Sequence, residues 1–318
     1  MQISVSSVQS NHIPARTGQR SFAILARKTE GEALGRPRRE REFSRPEHFR
    51  GQNTYTIHMT LKFVFAALLT SALLAPAFGK MIKKDVEYPS GLTVCEGFLA
   101  YDDTFKGKRP VVLVVHDWNG IDAYEKRRCE MLASLGYVAF AVDIYGKGVR
   151  PSGAERGVQA GKYKGDRELF RERLIAGLTE AKKLFNADAT KVAAIGYCFG
   201  GTGVLELARS GADVKGVVSF HGGLDTPTPL NANNIKGKVL ICHGNIDPMV
   251  PPAQVEAFRK EMEDAAVDYQ FIGYAGAVHA FTEPSVGNDP STGAAYNANA
   301  DRRSWDHMKL FLKEVLGS

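Results

Sequence analysis

The chain has 318 residues, 44% of them hydrophobic and 24% charged, with a formal net charge of +6 at pH 7. That length allows one large or two small domains. The charge is uneven: residues 1–58 carry ten Lys/Arg against five Asp/Glu, whereas basic and acidic residues balance from Lys80 onward. A folded part without net charge has no bulk attraction to nucleic acid or to an anionic membrane, which argues against both as partners.

Residues 1–58 are rich in Arg, Ser, Gly and Glu and lack a hydrophobic period, so they read as a disordered extension upstream of a natural start at Met59. Met59-Thr-Leu-Lys62 is a short basic opening, and Phe63 to Ala75 is an apolar run too short to span a bilayer comfortably. Ala77-Phe78-Gly79 supplies the small residues of a cleavage site, so 59–79 is expected to be a secretory signal peptide. The mature protein, 80–318, is then expected to be exported, periplasmic or secreted, without stable membrane insertion. Cys95, Cys129, Cys198 and Cys242 match neither a metal site nor a disulfide framework.

From Lys80 the chain alternates strand and helix. Val86 to Tyr101 reads as one or two antiparallel strands. Val111-Val-Leu-Val-Val115 is a continuous apolar, β-branched run of the kind buried on both faces of a sheet. Asp122 is placed to cap the helix that follows and ends at Gly136. Tyr137 to Val142 is the next buried strand, Lys147 to Lys164 a Gly- and charge-rich loop, and Asp166 to Phe185 a long amphipathic helix. Strands are expected at Val192–Ile195, Val214–Phe220, Val239–His243 and Asp268–Tyr274, with helices after the first of these, over Ala253–Ala265 and over Asp301–Val315. Helical crossovers long enough for parallel pairing imply one α/β domain: a doubly wound, mostly parallel sheet with helices on both faces and no large cap domain.

The most informative stretch is Val192-Ala-Ala-Ile-Gly-Tyr-Cys-Phe-Gly-Gly201. A strand, a sharp Gly-rich turn and a helix form the setting of a nucleophile elbow, here with Cys198 where Ser is commoner. The helix N-terminus favours the thiolate, the reactive form of Cys. Open parallel sheets bind ligands beyond the carboxyl ends of their strands. The polar residues there are Asp117, Tyr145, Cys198, His221, Asp247 and His279. A Cys nucleophile needs a base, and the base an orienting carboxylate. The order Cys198, Asp247, His279 supplies both, with His221 the second candidate for base. His116 and His243, at strand ends, are expected to bond backbone, and His307 to face solvent.

With Gly-Tyr-Cys-Phe-Gly-Gly at 196–201, Gly-Asn-Ile-Asp-Pro at 244–248, Val-His-Ala-Phe at 278–281 and Asp-Ile-Tyr-Gly at 143–146, the chain from about residue 85 onward resembles the dienelactone hydrolase family of α/β-hydrolases. The resemblance implies hydrolysis of an ester or lactone, a small-molecule substrate, by a Cys198–His279–Asp247 triad through an acyl-enzyme, without cofactor or metal; a monomer or homodimer is expected. It also implies an oxyanion hole formed by the backbone N–H groups of Phe199 and Trp118. Two positions depart from the family pattern. Asp117 stands where a Glu that helps ionise the Cys is usual. Glu283 stands where the prototype enzymes hold a substrate carboxylate with Arg, which points to uncharged substrates; Lys147 or Arg150 could substitute. Two other readings remain open: a non-catalytic binding protein of this fold, and a thiol redox protein using Cys198, for which no second Cys lies nearby in sequence.

Overall fold

A computed structural model describes residues 79–317. The expected extension at 1–58 and all but the last residue of the expected signal segment lie outside the described residues. The described strands are β1 (Met81–Ser90), β2 (Thr93–Asp102), β3 (Arg109–Val115), β4 (Val138–Val142), β5 (Ala187–Tyr197), β6 (Gly216–Phe220), β7 (Lys238–Gly244) and β8 (Tyr269–Tyr274). The α-helices are α1 (Ala123–Ala133), α2 (Glu155–Gly165), α3 (Arg167–Lys183), α4 (Phe199–Arg209), α5 (Pro252–Asp264) and α6 (Ala298–Leu316).

All eight strands form one sheet in the order β1-β2-β4-β3-β5-β6-β7-β8. The β1–β2 and β2–β4 pairs are antiparallel and the remaining pairs parallel. The entry segment is thus two strands. The inner strands β3, β4, β6 and β7 are buried along nearly their whole length, with alternate side chains entering the two faces. Val111, Leu113 and Val115 share one cluster with Phe170 and Leu174 of α3, Val204 of α4 and Phe258 of α5. Val112 and Val114 share the other with Leu132 of α1 and with Met308, Phe311 and Leu312 of α6. Helices cover both faces, as the sequence implies.

Local signals set the helix starts. Asp122 caps α1, accepting from the Tyr124 N–H, while Glu125 reaches back to the Asp122 N–H in a capping box. Asp166 caps α3 and Asn297 caps α6. One expectation fails: α2 lies inside the segment read as loop. Only Ala160 and Tyr163 of α2 are buried, so the helix carries almost no hydrophobic period to read.

The chain runs from β3 to β4 on one side and then crosses to β5 on the other. The carboxyl ends of β3 and β5 therefore flank a topological switch point, where ligand crevices form in open α/β sheets.

Candidate active site

Cys198 sits where β5 turns into α4, with φ 51° and ψ −112°. A non-glycine residue at such angles costs about 1–3 kcal/mol, a strain concentrated at functional turns. The turn closes only because its neighbours lack side chains. A Cβ on Gly196 would lie 2.0 Å from the Gly200 carbonyl oxygen, and one on Gly200 would lie 2.1 Å from the Val115 carbonyl oxygen of β3. The Cys198 N–H donates to Phe220 O at 3.0 Å and to His221 Nδ1 at 3.2 Å.

The loops after β7 and β8 bring up Asp247 and His279. Asp247 turns the chain back on itself, its Oδ1 accepting from the Met249 N–H at 2.8 Å. The His279 backbone is pinned by bonds to Gly293 O and from the Ala295 N–H. His279 Nε2 lies 3.0 Å from Cys198 Sγ, and Nδ1 lies 2.9 Å from Asp247 Oδ2. Burial opposes a charge on His279, but the adjacent Cys198 sulfur and Asp247 carboxylate outweigh it and raise the imidazole to about 10. This row of groups can move a proton from thiol to imidazole and hold the imidazolium against a buried carboxylate.

Phe199 begins α4 and Trp118 follows β3; neither backbone N–H has a hydrogen-bond partner among the described residues. Asp117 lines the same cavity, but both its oxygens are engaged by Asn119, through the backbone N–H at 2.7 Å and Nδ2 at 2.8 Å. Burial, with Asp122 and Glu283 nearby, raises the Asp117 carboxyl to about 7. The cavity above Cys198 is about 450 Å³ and is also lined by Tyr124, Arg156, His221 and Glu283. A smaller one of about 170 Å³ shares Trp118, Cys198, Met249 and His279 with it and contains Lys164.

Glu283 thus faces the cavity, with one oxygen held by the Ser285 N–H. The cation in that cavity is Arg156 of α2, not the expected substitutes. Lys147 pairs with Glu87, Arg150 bonds the Val149 carbonyl, and neither lines either cavity. Tyr145 is buried outside both cavities and donates to the Trp118 carbonyl, steadying the loop after β3. His221 has both nitrogens committed, Nδ1 to the Cys198 N–H and Nε2 to Thr282 Oγ1 at 2.7 Å, and makes no hydrogen bond to the sulfur. Burial, with His279 and Arg128 close by, holds it well below the ordinary imidazole value.

His116 meets the backbone as expected, at Asp117 O and the Ile144 N–H, whereas the His243 ring packs beside Phe271 and makes no backbone bond among the described residues. His307 does not simply face solvent, since its Nδ1 is 2.8 Å from the Tyr274 hydroxyl. All four cysteines are free. Among the described residues no group of His, Cys, Asp or Glu is arranged to hold a metal ion. The sequence does not single out Arg128, which ties the loop after β8 to α6 through Thr282 O and Asp301. Nor does it single out Arg156, Tyr124 or Thr282; their positions arise from tertiary packing and leave no mark in residue spacing.

A model of the dienelactone hydrolase family matches residues 95–316. An uncharacterized Caenorhabditis elegans protein is 36% identical over 151 residues, 46% of this chain and 94% of that one. A Synechocystis protein named "Putative carboxymethylenebutenolidase" is 29% identical over 235 residues, 69% of this chain and 92% of that one. Among solved structures, a dienelactone hydrolase-like promiscuous phosphotriesterase from metagenomic libraries superposes with a TM-score of 0.71 at 37% identity, covering 74% of this chain and 99% of that one. The fold, the switch-point crevice and a family match spanning most of the chain agree: the protein belongs to the dienelactone hydrolase family.

Proposed function

We propose that the protein hydrolyses an uncharged ester or lactone through a Cys198–His279–Asp247 triad and an acyl-enzyme. The observation that carries this reading is the imidazole of His279 bridging the Cys198 sulfur and the Asp247 carboxylate at 3.0 and 2.9 Å. The thiolate of Cys198 attacks the acyl carbon, and the Phe199 and Trp118 N–H groups receive the oxyanion; removing one such donor typically costs about 3–4 kcal/mol. The tetrahedral intermediate collapses as the imidazolium of His279 gives its proton to the leaving alcohol, which leaves Cys198 as a thioester. His279 then takes a proton from water, the hydroxide attacks the thioester, and acid and thiolate are released. Asp247 holds the imidazole in the tautomer that serves both steps.

Two carboxyl groups, Asp117 and Glu283, against the one cation Arg156 on the cavity wall support a preference for uncharged substrates, since a substrate carboxylate there meets more like charge than opposite. The test is a panel of uncharged and anionic esters and lactones on the protein from Lys80 on. It includes an uncharged phosphotriester, because the metagenomic relative is named for that activity. Turnover of uncharged members that disappears in Cys198→Ala is expected. Absence of turnover across the panel favours a binding protein, and reversible oxidation of Cys198 without turnover favours a redox protein.

A further inference from the structure

A line of hydrogen bonds leads from the elbow to the wall of the larger cavity, and its polarity follows from its first member. The Cys198 N–H donates to His221 Nδ1, so that nitrogen is an acceptor and the neutral ring carries its proton on Nε2. Nε2 lies 2.7 Å from Thr282 Oγ1 and therefore donates to it. Thr282, buried, has one proton of its own, and its other partner is the Tyr124 hydroxyl at 2.6 Å. Tyr124 is the one acceptor for that proton among the described residues, so we assign Thr282 as the donor and Tyr124 as the acceptor of this bond. The acceptor side of the Tyr124 oxygen is occupied, and its own proton has no acceptor among the described residues. Burial keeps that phenol protonated well past neutral pH. Tyr124 lines the cavity above Cys198.

We propose that Tyr124 is a specificity-determining residue that donates a hydrogen bond to an uncharged oxygen acceptor on the substrate, a ketone, ether or second ester oxygen, with its polarity fixed from the elbow through His221 and Thr282. An uncharged acceptor fits because two carboxyl groups, Asp117 and Glu283, line the same cavity against a single cation, Arg156. This deepens the ester-hydrolase reading and rests on it. A site that offers a directed donor to a substrate oxygen discriminates against the analogue that lacks it.

The test uses two matched series on the protein from Lys80 on. One consists of p-nitrophenyl oxoalkanoates, with the ketone moved along the acyl chain, against the plain alkanoates. The other consists of methoxyalkyl acetates against alkyl acetates of equal length. The wild type should favour at least one oxygen-bearing member by about five-fold in kcat/KM, the scale of one neutral hydrogen bond. Tyr124→Phe should bring that ratio to about one, whereas loss of a merely structural group would lower both members of the pair alike. A wild type that turns over both series with no such preference overturns the proposal even if Tyr124→Phe does not fold. Retention of the preference in a folded Tyr124→Phe overturns it too. If the wild type turns over no ester, or Cys198→Ala turns them over as well, it is the underlying hydrolase reading that fails.

Discussion

Asp247→Asn exchanges one oxygen for an amide nitrogen, and the surroundings dictate which way the amide faces. The Met249 N–H donates to Oδ1, so the asparagine oxygen keeps that contact and its NH₂ is turned toward His279 Nδ1. Nδ1 must then accept. The imidazole carries its proton on Nε2, pointing at Cys198 Sγ 3.0 Å away, the wrong tautomer for taking the thiol proton. The variant also loses the carboxylate that helps hold His279 near 10, so imidazolium and thiolate no longer support each other. The expected loss in kcat is about 10³–10⁴-fold, the scale of a triad held in the wrong tautomer. Replacing a charge-assisted hydrogen bond by a neutral one should lower stability by about 1–2 kcal/mol. Steady-state hydrolysis of an uncharged ester, with urea denaturation of the same preparation, measures both. A folded variant within ten-fold of wild-type kcat would refute the assignment of Asp247 as the group that orients the base.

Thr282→Val preserves shape but leaves His221 Nε2–H and the Tyr124 hydroxyl without their shared partner, and should cost about 2–4 kcal/mol in urea denaturation; an unchanged midpoint would mean that the line of hydrogen bonds contributes nothing. The carboxyl of Asp117, raised to about 7, is neutral below that pH and charged above it, so the KM ratio of an anionic ester to its uncharged analogue should rise several-fold between pH 6 and pH 8. A flat ratio, insensitive to salt, would remove Asp117 from the account of charge selection. We further propose that the protein is exported and that its mature form starts at Lys80. The Lys80 backbone nitrogen lies 2.6 Å from Asp103 Oδ1, where cleavage after Gly79 would set a new terminal ammonium against a carboxylate. N-terminal sequencing of the native protein decides this, and a cytosolic product intact upstream of Met59 would contradict it.

The parts of the fold that sequence reveals are those whose cause is local. The all-apolar run at Val111–Val115 can only be a strand buried on both faces, and the glycines around Cys198 mark a turn that admits no side chains. Asp247 and His279 are legible because the positions just past the ends of parallel strands are where the topology gathers polar groups. What sequence hides is set by packing between distant segments. Tyr124 and Thr282 are 158 residues apart yet share a hydrogen bond. Helix α2, with glycines at 157, 161 and 165, has little intrinsic preference for its conformation, but it carries Arg156 and Lys164 to the two cavities. Asp117 shows both sides. Its place at the end of β3 is readable, whereas its engagement by Asn119 two residues on is a choice among turn conformations that only the structure resolves.

The proposed reaction turns on a covalent acyl-enzyme on Cys198. Its most direct test is rapid acid quench during turnover of a slowly deacylating uncharged ester, followed by peptide mapping by mass spectrometry. An acyl adduct is expected on the peptide carrying Cys198, chased away when excess substrate is removed, and absent from Cys198→Ala, which is expected to fold but not to turn over. Full esterase activity in Cys198→Ala, or an adduct mapped to Cys95, Cys129 or Cys242 that forms and decays at the turnover rate, would contradict it.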